Sequence, residues 1–142
     1  MDVRPILLDA SALVILLLKQ KGWRSVEKLL QSGRAVTTVT GLAEAFNVCR
    51  LRHTGFSRDD IWNALESLGL SIEPLTADDA AEIAFLQEYA EKEAEKSNHP
   101  GILSLGDACC LAVGKRLGAV VVVSDGFWDL LKIQGVDIFQ LR

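Results

Sequence analysis

Short apolar runs alternate with amphipathic segments along the chain of 142 residues. Continuous apolar runs of a few residues are typical of buried strands, and apolar positions spaced by three and four residues predict helices. The strand candidates are residues 5–9, 35–38, 70–74, 119–123 and 136–139, and the helix candidates are residues 11–18, 23–31, 42–49, 57–68, 76–96 and 104–118. This alternation predicts an α/β fold with a mostly parallel sheet.

The composition fits a single folded domain over residues 1–142. Apolar residues make up 49% of the chain, while proline and glycine are too few to indicate disorder. The apolar run near the N-terminus is interrupted by Asp9 and closed by Lys19 and Lys21. It is much shorter than the roughly 20 residues that a membrane-spanning helix needs. We therefore expect a cytoplasmic protein with no membrane association.

The three cysteines predict neither a disulfide framework nor a zinc site. Cys49, Cys109 and Cys110 are odd in number, two of them are adjacent, and all three lie among apolar residues in helix candidates. We expect buried, reduced thiols.

Four acidic residues occupy positions that bring them to one edge of the predicted sheet. Asp9 closes the first strand, and Asp125 follows the valine-rich strand. Glu44 falls in the first turn of the helix after the second strand, and Asp107 in the first turn of the helix before the valine strand. In parallel α/β sheets, ligands lie beyond the carboxyl ends of the strands, where such positions converge.

Clustered carboxylates repel one another and are usually neutralised by a hard divalent cation. A cation there also stabilises the charge that develops at a phosphate and makes an attacking water more acidic. Three of the acids have structural alternatives. Asp107 completes a Ser-x-x-Asp capping pattern with Ser104, Glu44 fits a helix first turn, and Asp125 before a glycine fits a turn. Asp9 is hardest to explain structurally, because it interrupts a buried run.

Four segments resemble the motifs of PIN domains, especially those of VapC-type toxins. They are Ile-Leu-Leu-Asp-Ala-Ser-Ala-Leu at 6–13, Leu-Ala-Glu-Ala at 42–45, Leu-Ser-Leu-Gly-Asp-Ala-Cys-Cys-Leu-Ala at 103–112 with Arg-Leu-Gly-Ala at 116–119, and Val-Val-Ser-Asp-Gly-Phe-Trp at 122–128. The segments occur in the family's order and span nearly the whole chain.

The resemblance implies a three-layer α/β/α fold with sheet order 3-2-1-4-5. It also implies Mg²⁺ or Mn²⁺, and hydrolysis of RNA to 5′-phosphate and 3′-hydroxyl ends. By position, the catalytic acids are Asp9, Glu44, Asp107 and Asp125, with Asp9, Asp107 and Asp125 as metal ligands. Ser11 and Ser124 match the small hydroxyl residues near the metal, and Asp129, just after the last motif, is a candidate for an additional acid beside Asp125 that does not bind the metal directly. The resemblance further implies a homodimer and a small antitoxin partner, both contacted through helices in the region 23–68.

The overall charge argues against a strong global attraction for RNA. The net charge is −4, but without the four proposed site acids the chain has 15 acidic and 15 basic residues. A local basic patch thus remains possible. The candidates, which are equally well explained as ordinary surface charge, are Arg50, Arg52, Arg58, Lys115 and Arg116.

Two other classes of function stay open from the sequence. A receiver-like domain that binds magnesium and phosphate also carries acids at strand ends, but no lysine follows the last strand candidate as that class requires. A catalytically silent PIN-fold interaction module would keep the fold and show no metal affinity.

Overall fold

The computed structural model describes residues 2–98, 102–124, 128 and 131–141. Strands and helices alternate along these residues, as the hydrophobic pattern predicts. The strands are β1 (Ile6–Leu8), β2 (Ala35–Thr37), β3 (Ser71–Ile72), β4 (Val120–Val123) and β5 (Asp137–Gln140). The helices are α1 (Ala10–Leu17), α2 (Trp23–Gln31), α3 (Val39–Leu51), α4 (Arg58–Ser67), α5 (Asp79–Ser97) and α6 (Leu105–Leu117).

The five strands form one sheet in the order β3-β2-β1-β4-β5. Every neighbouring pair is parallel. Both the parallel sheet and the strand order 3-2-1-4-5 are therefore confirmed. Strand β1 lies at the centre, between β2 and β4, where the direction of strand addition reverses. The carboxyl ends of β1 and β4 thus meet at the switch point where α/β folds bind ligands.

Hydrophobic clusters cover both faces of the sheet and confirm the three-layer arrangement. Successive side chains of a strand point to opposite faces. In β1, Ile6 and Leu8 pack with helices α1 to α4, whereas Leu7 packs with α5 and α6. The valines of β4 alternate in the same way. Because both faces are covered, the central strands are apolar throughout rather than alternating.

Helix α3 begins three residues earlier than the periodicity predicts. Thr38 caps it, since the Thr38 Oγ1 accepts a hydrogen bond of 3.0 Å from the backbone N–H of Gly41. Apolar spacing alone does not reveal this cap. The earlier start moves Glu44 out of the first turn of its helix, so that expectation was wrong. The dipole of α3 therefore does not account for Glu44.

The described residues also bear on the state of the cysteines and on membrane-spanning helices. Cys49, Cys109 and Cys110 are buried and form no disulfide, as the apolar surroundings predict. None of the helices in the described part of the chain combines the length and apolar character needed to span a membrane.

Candidate active site

Asp9 lies at the junction of β1 and α1, and its carboxylate is held there by two hydrogen-bond donors. One carboxylate oxygen accepts from the backbone N–H of Ala12 at 2.9 Å, which caps α1. The Ser11 hydroxyl donates to the carboxylate, with its oxygen 2.7 and 2.8 Å from the two carboxylate oxygens. The same hydroxyl accepts from the backbone N–H of Ser124 at 3.3 Å. Ser11 thus connects Asp9 to the end of β4.

The environment of Asp9 disfavours its charge. The side chain is buried, with 6% of its surface exposed. Burial raises its pKa to about 6, and the negative charges of Asp107 and Glu44 add to that effect. The hydrogen bonds from Ser11 and Ala12 oppose the increase in pKa without cancelling it. A buried acid whose pKa is raised by desolvation and by neighbouring negative charges is a typical feature of a functional site.

Glu44 extends from α3 to the first turn of α6. A Cβ atom on Gly106 would lie 1.8 Å from the Glu44 Oε1, so the carboxylate occupies the space that a side chain at 106 would need. The pKa of Glu44 is raised, first by its partial burial and then by the charge of Asp107. The N-terminus of α6 carries a positive partial charge that favours a carboxylate at this position.

Asp107 is both a member of the capping box of α6, whose N-cap is Ser104, and the third acid of the cluster. Its backbone N–H donates to the Ser104 Oγ at 3.1 Å, and its Oδ2 accepts from the Ser104 N–H at 3.4 Å. Its charge nevertheless raises the pKa values of both Asp9 and Glu44. The capping interpretation and the acidic-site interpretation, which the sequence presents as alternatives, are therefore compatible.

The remaining predicted site residues divide into three groups. Asp125 and Asp129 lie outside the described residues. Ser124 is half-buried at the end of β4, beside Ser11. The basic candidates do not gather as one patch, and only Arg52 shares a cavity with Glu44.

Lys115 and Arg116 lie at the far end of α6 from Asp107, about 12 Å along the helix axis. Lys115 pairs with Glu82 at 2.7 Å, and Arg116 pairs with Asp79 and Glu73 at 3.0 and 2.9 Å. The structure does not bring either residue to the acids. Arg116 instead ties α6 to the start of α5, where Asp79 is buried.

A cavity of about 340 Å³ lies between α1 and α3 and adjoins Glu44 and Ser11, the hydrogen-bond partner of Asp9. Its lining includes Ser11, Glu44 and Ser124, together with Gln20 and Arg52. Sequence reasoning missed Gln20, because the residue follows the end of α1 and belongs to no motif. The packing of α1 against α3 is what brings it to the cavity.

The donor set fits a hard divalent cation. Neither Asp9 nor Glu44 forms an ion pair with a described residue, and oxygen ligands are those that Mg²⁺ and Mn²⁺ prefer. Within residues 2–98, 102–124, 128 and 131–141, no three His, Cys, Asp or Glu side chains lie close enough to form a complete metal site. Mg²⁺ keeps several waters and needs only one or two carboxylates directly, so the described acids suffice for part of such a site.

The fold and the acids together define a class of protein. The model of the PIN domain family matches residues 6–129. The chain therefore belongs to the PIN domain family. None of the curated proteins matches the chain in sequence.

Several solved structures have the same fold. A toxin–antitoxin complex from Klebsiella pneumoniae is similar with a TM-score of 0.63 and 18% identity, over 92% of this chain and 94% of the other. The DNA-bound VapBC complex of Salmonella typhimurium has a TM-score of 0.60 and 15% identity, covering 99% and 100%. VapC20 of Mycobacterium tuberculosis, a toxin that cleaves the sarcin–ricin loop, has a TM-score of 0.58 and 19% identity, covering 93% and 98%.

Asp9 is expected to make the metal-free protein more stable at mildly acidic pH. Its pKa is about 6 in the fold against 3.8 ordinarily, so the folded state holds the extra proton between these values. Stability then rises as the pH falls from 7 to 5, by about 1 kcal/mol from this residue. Urea unfolding of the wild type and Asp9→Asn in a chelator, at both pH values, isolates the contribution. An identical pH dependence in the two proteins would contradict the assignment.

Gly106→Ala is expected to displace the Glu44 carboxylate without unfolding the protein. The new methyl group meets the end of a flexible side chain, and alanine favours a helix over glycine by about 1 kcal/mol. Once displaced from α6 and Asp107, Glu44 should titrate closer to its ordinary pKa. NMR titration of the carboxyl carbon measures this, with the exposed neighbour Leu105→Ala as control. If Glu44 titrates in Gly106→Ala as it does in the wild type, the contact is not real.

Proposed function

We propose that this PIN domain is a metal-dependent ribonuclease and the toxin of a toxin–antitoxin pair. The observation that carries the proposal is the convergence of Asp9, Glu44 and Asp107 at the carboxyl edge of the sheet, where their charges act on one another. A cluster of carboxylates that repel one another at the ligand-binding edge destabilises the fold unless a cation neutralises them. The similarity in fold to VapC20, a toxin that cleaves the sarcin–ricin loop, supports the same conclusion.

Asp9, Asp107 and Asp125 would hold Mg²⁺ or Mn²⁺. When bound, the chemistry supplied by the cation is neutralisation of the charge that develops at the phosphate, and an increase in the acidity of the attacking water. Ser11 holds Asp9 in place through its hydroxyl. Glu44, which is exposed to solvent, would orient a water molecule by accepting a hydrogen bond from it. The products would be a 5′-phosphate and a 3′-hydroxyl.

The wild type is expected to cleave RNA in Mg²⁺ or Mn²⁺ and not in a chelator. Asp9→Asn, Glu44→Gln and Asp107→Asn should each lower the cleavage rate by roughly a hundredfold or more, since each removes one carboxylate charge from the site. Asn at 107 keeps an oxygen for the Ser104 cap, and Asn at 9 caps α1 well. Both folds should therefore survive, which thermal melts check. The matched control is Glu66→Gln, an exposed helical acid away from the cluster.

The alternative of a catalytically silent interaction module predicts a different result. Such a protein would bind no divalent cation and leave total RNA intact under every condition. Cleavage that is equal in the wild type and Asp9→Asn would point instead to a contaminating nuclease, and would contradict the proposed site.

An apolar groove on the opposite side of α1 is the proposed antitoxin site. A cavity of about 420 Å³ lies between the end of α1, α2 and α4. Its apolar lining includes Leu17, Trp23, Phe56 and Leu68, and charged groups at its rim include Lys19, Glu27 and Asp60. An apolar groove with a charged rim fits one face of an amphipathic helix. The Klebsiella pneumoniae neighbour is a toxin–antitoxin complex, which supports this kind of partner.

We also propose that the protein forms a homodimer. The family resemblance and the half-buried Trp23 and Trp62, which pack against the core from the helices of this region, motivate the proposal. A protein that stays monomeric by sedimentation equilibrium at high micromolar concentration would contradict it.

Ala64→Glu is expected to prevent the antitoxin from binding. Ala64 is exposed and lines the groove, so a carboxylate there would have to be buried beneath the partner. Purification of the tagged toxin from its native host should recover a small protein with the wild type and not with Ala64→Glu. The control is Asn63→Glu, an exposed neighbour outside the groove. Equal recovery with both variants would place the antitoxin elsewhere.

A further inference from the structure

The cavity beside the acids continues along the seam between α1 and α3. Glu44, Val48 and Arg52 line it from α3, and their spacing of four residues places them in one stripe on that helix. Glu44 lies at the acidic end and Arg52 about 12 Å further along the helix axis. The facing stripe on α1 consists of Ala10, Ser11, Val14 and Ile15, which also line the cavity.

Arg52 places a positive charge at one end of the cavity, the end that lies away from the acids. The side chain is exposed, and it forms no ion pair with any described residue. Arg116, by contrast, is fully engaged with Glu73 and Asp79. A planar guanidinium beside a groove is well suited to bind a phosphate through two hydrogen bonds. The cavity therefore has an acidic end and a basic end.

Gln20 is fixed at the same end by the way in which α1 terminates. Its backbone N–H donates to the Ile15 carbonyl at 2.9 Å, and the Lys19 N–H donates to the Leu16 carbonyl at 3.2 Å. Lys19 adopts the left-handed conformation, with φ of 50°, that this helix ending requires. The backbone of Gln20 is thus held against the cavity. Its side-chain amide offers one donor and one acceptor side by side, the pattern that pairs with the edge of a base.

Between these polar ends, the cavity wall is apolar. Val14, Ile15 and Val48 form this wall, and Val14 and Ile15 are themselves buried in the core. A volume of about 340 Å³ is large enough for a base with its ribose and falls within the usual range of small-ligand sites. Unstacked bases of single-stranded RNA are commonly recognised by packing on a side-chain surface while an edge is hydrogen-bonded.

We propose that this cavity is a specificity subsite for one nucleotide of single-stranded RNA, directly beside the phosphodiester bond at the acids. Arg52 binds the next phosphate along the strand, Gln20 reads the edge of the base, and the apolar wall contacts the base and ribose. This inference rests on the proposed ribonuclease function and adds to it a position at which the sequence of the substrate is read.

The first test measures binding without cleavage. A fluorescein-labelled, unstructured RNA of mixed sequence is titrated with the Asp9→Asn protein in Mg²⁺ over a series of salt concentrations. Adding Arg52→Ala should weaken binding roughly tenfold and reduce the slope of log affinity against log salt by about one. The control, Lys28→Ala, removes one positive charge from an exposed position on α2, outside the cavity. It should change affinity less than about twofold.

The second test measures base preference. A library of random single-stranded RNA is cleaved by otherwise wild-type protein, and the new ends are sequenced. With Gln20→Ala, the preference for one base over the others should fall roughly tenfold at one position next to the cut. The preferences at the other positions should stay unchanged. The exposed Gln31→Ala is the control. Thermal melts confirm that each variant is folded.

The outcomes separate this inference from the proposed function. If the protein cleaves RNA while Arg52→Ala and Gln20→Ala behave like their controls, the subsite is wrong and the ribonuclease stands. If no RNA is cleaved but binding still depends on Arg52 and not on Lys28, the subsite stands and catalysis is wrong. If only the Arg52 effect is found, base reading by Gln20 is overturned.

Discussion

The repulsion among carboxylates at the carboxyl edge of the sheet is the constraint on which the rest of the site depends. Asp9 is buried there with a raised pKa, and its neighbours Glu44 and Asp107 increase the cost of its charge. The parallel sheet creates this situation, because the carboxyl ends of β1 and β2 reach the same edge, where Asp9 follows β1 and the helix that carries Glu44 follows β2. A fold that places acids together in this way gains stability whenever a cation neutralises them.

The surrounding structure reduces the cost without removing it. Asp9 is the N-cap of α1, and Asp107 completes the capping box of α6 with Ser104, so both acids lie at helix N-termini where negative charge is favoured. Glu44 also lies at the N-terminus of α6, in the space that Gly106 leaves. Helix ends that must be capped anyway thus hold the acids in place. For this reason the capping role of Asp107 does not argue against a role in chemistry.

Much of this arrangement could be predicted from sequence because strands and amphipathic helices follow the hydrophobic pattern closely. The strand-end position of Asp9 and the helix first-turn position of Asp107 predicted that the two acids would lie near one another, and in the fold the charge of Asp107 acts on Asp9. Glu44 was misplaced within its helix because the Thr38 cap is invisible to apolar spacing. Lys115 and Arg116 were candidates for RNA binding because their partners Glu82, Asp79 and Glu73 are far away in sequence. Gln20 could not be found, since only the packing of α1 on α3 brings it beside Arg52.

The most direct test of the central claim is calorimetric titration of the RNA-free protein with Mn²⁺ at pH 7, with Asp9→Asn measured alongside. The account predicts saturable binding to the wild type and an affinity lower by at least about tenfold in the variant, because a buried ligand has lost its charge. It also predicts that the bound cation raises the melting temperature of the wild type by more than that of the variant. Absence of binding to the wild type, or equal affinity in the two proteins, would contradict the claim that these acids form a metal site.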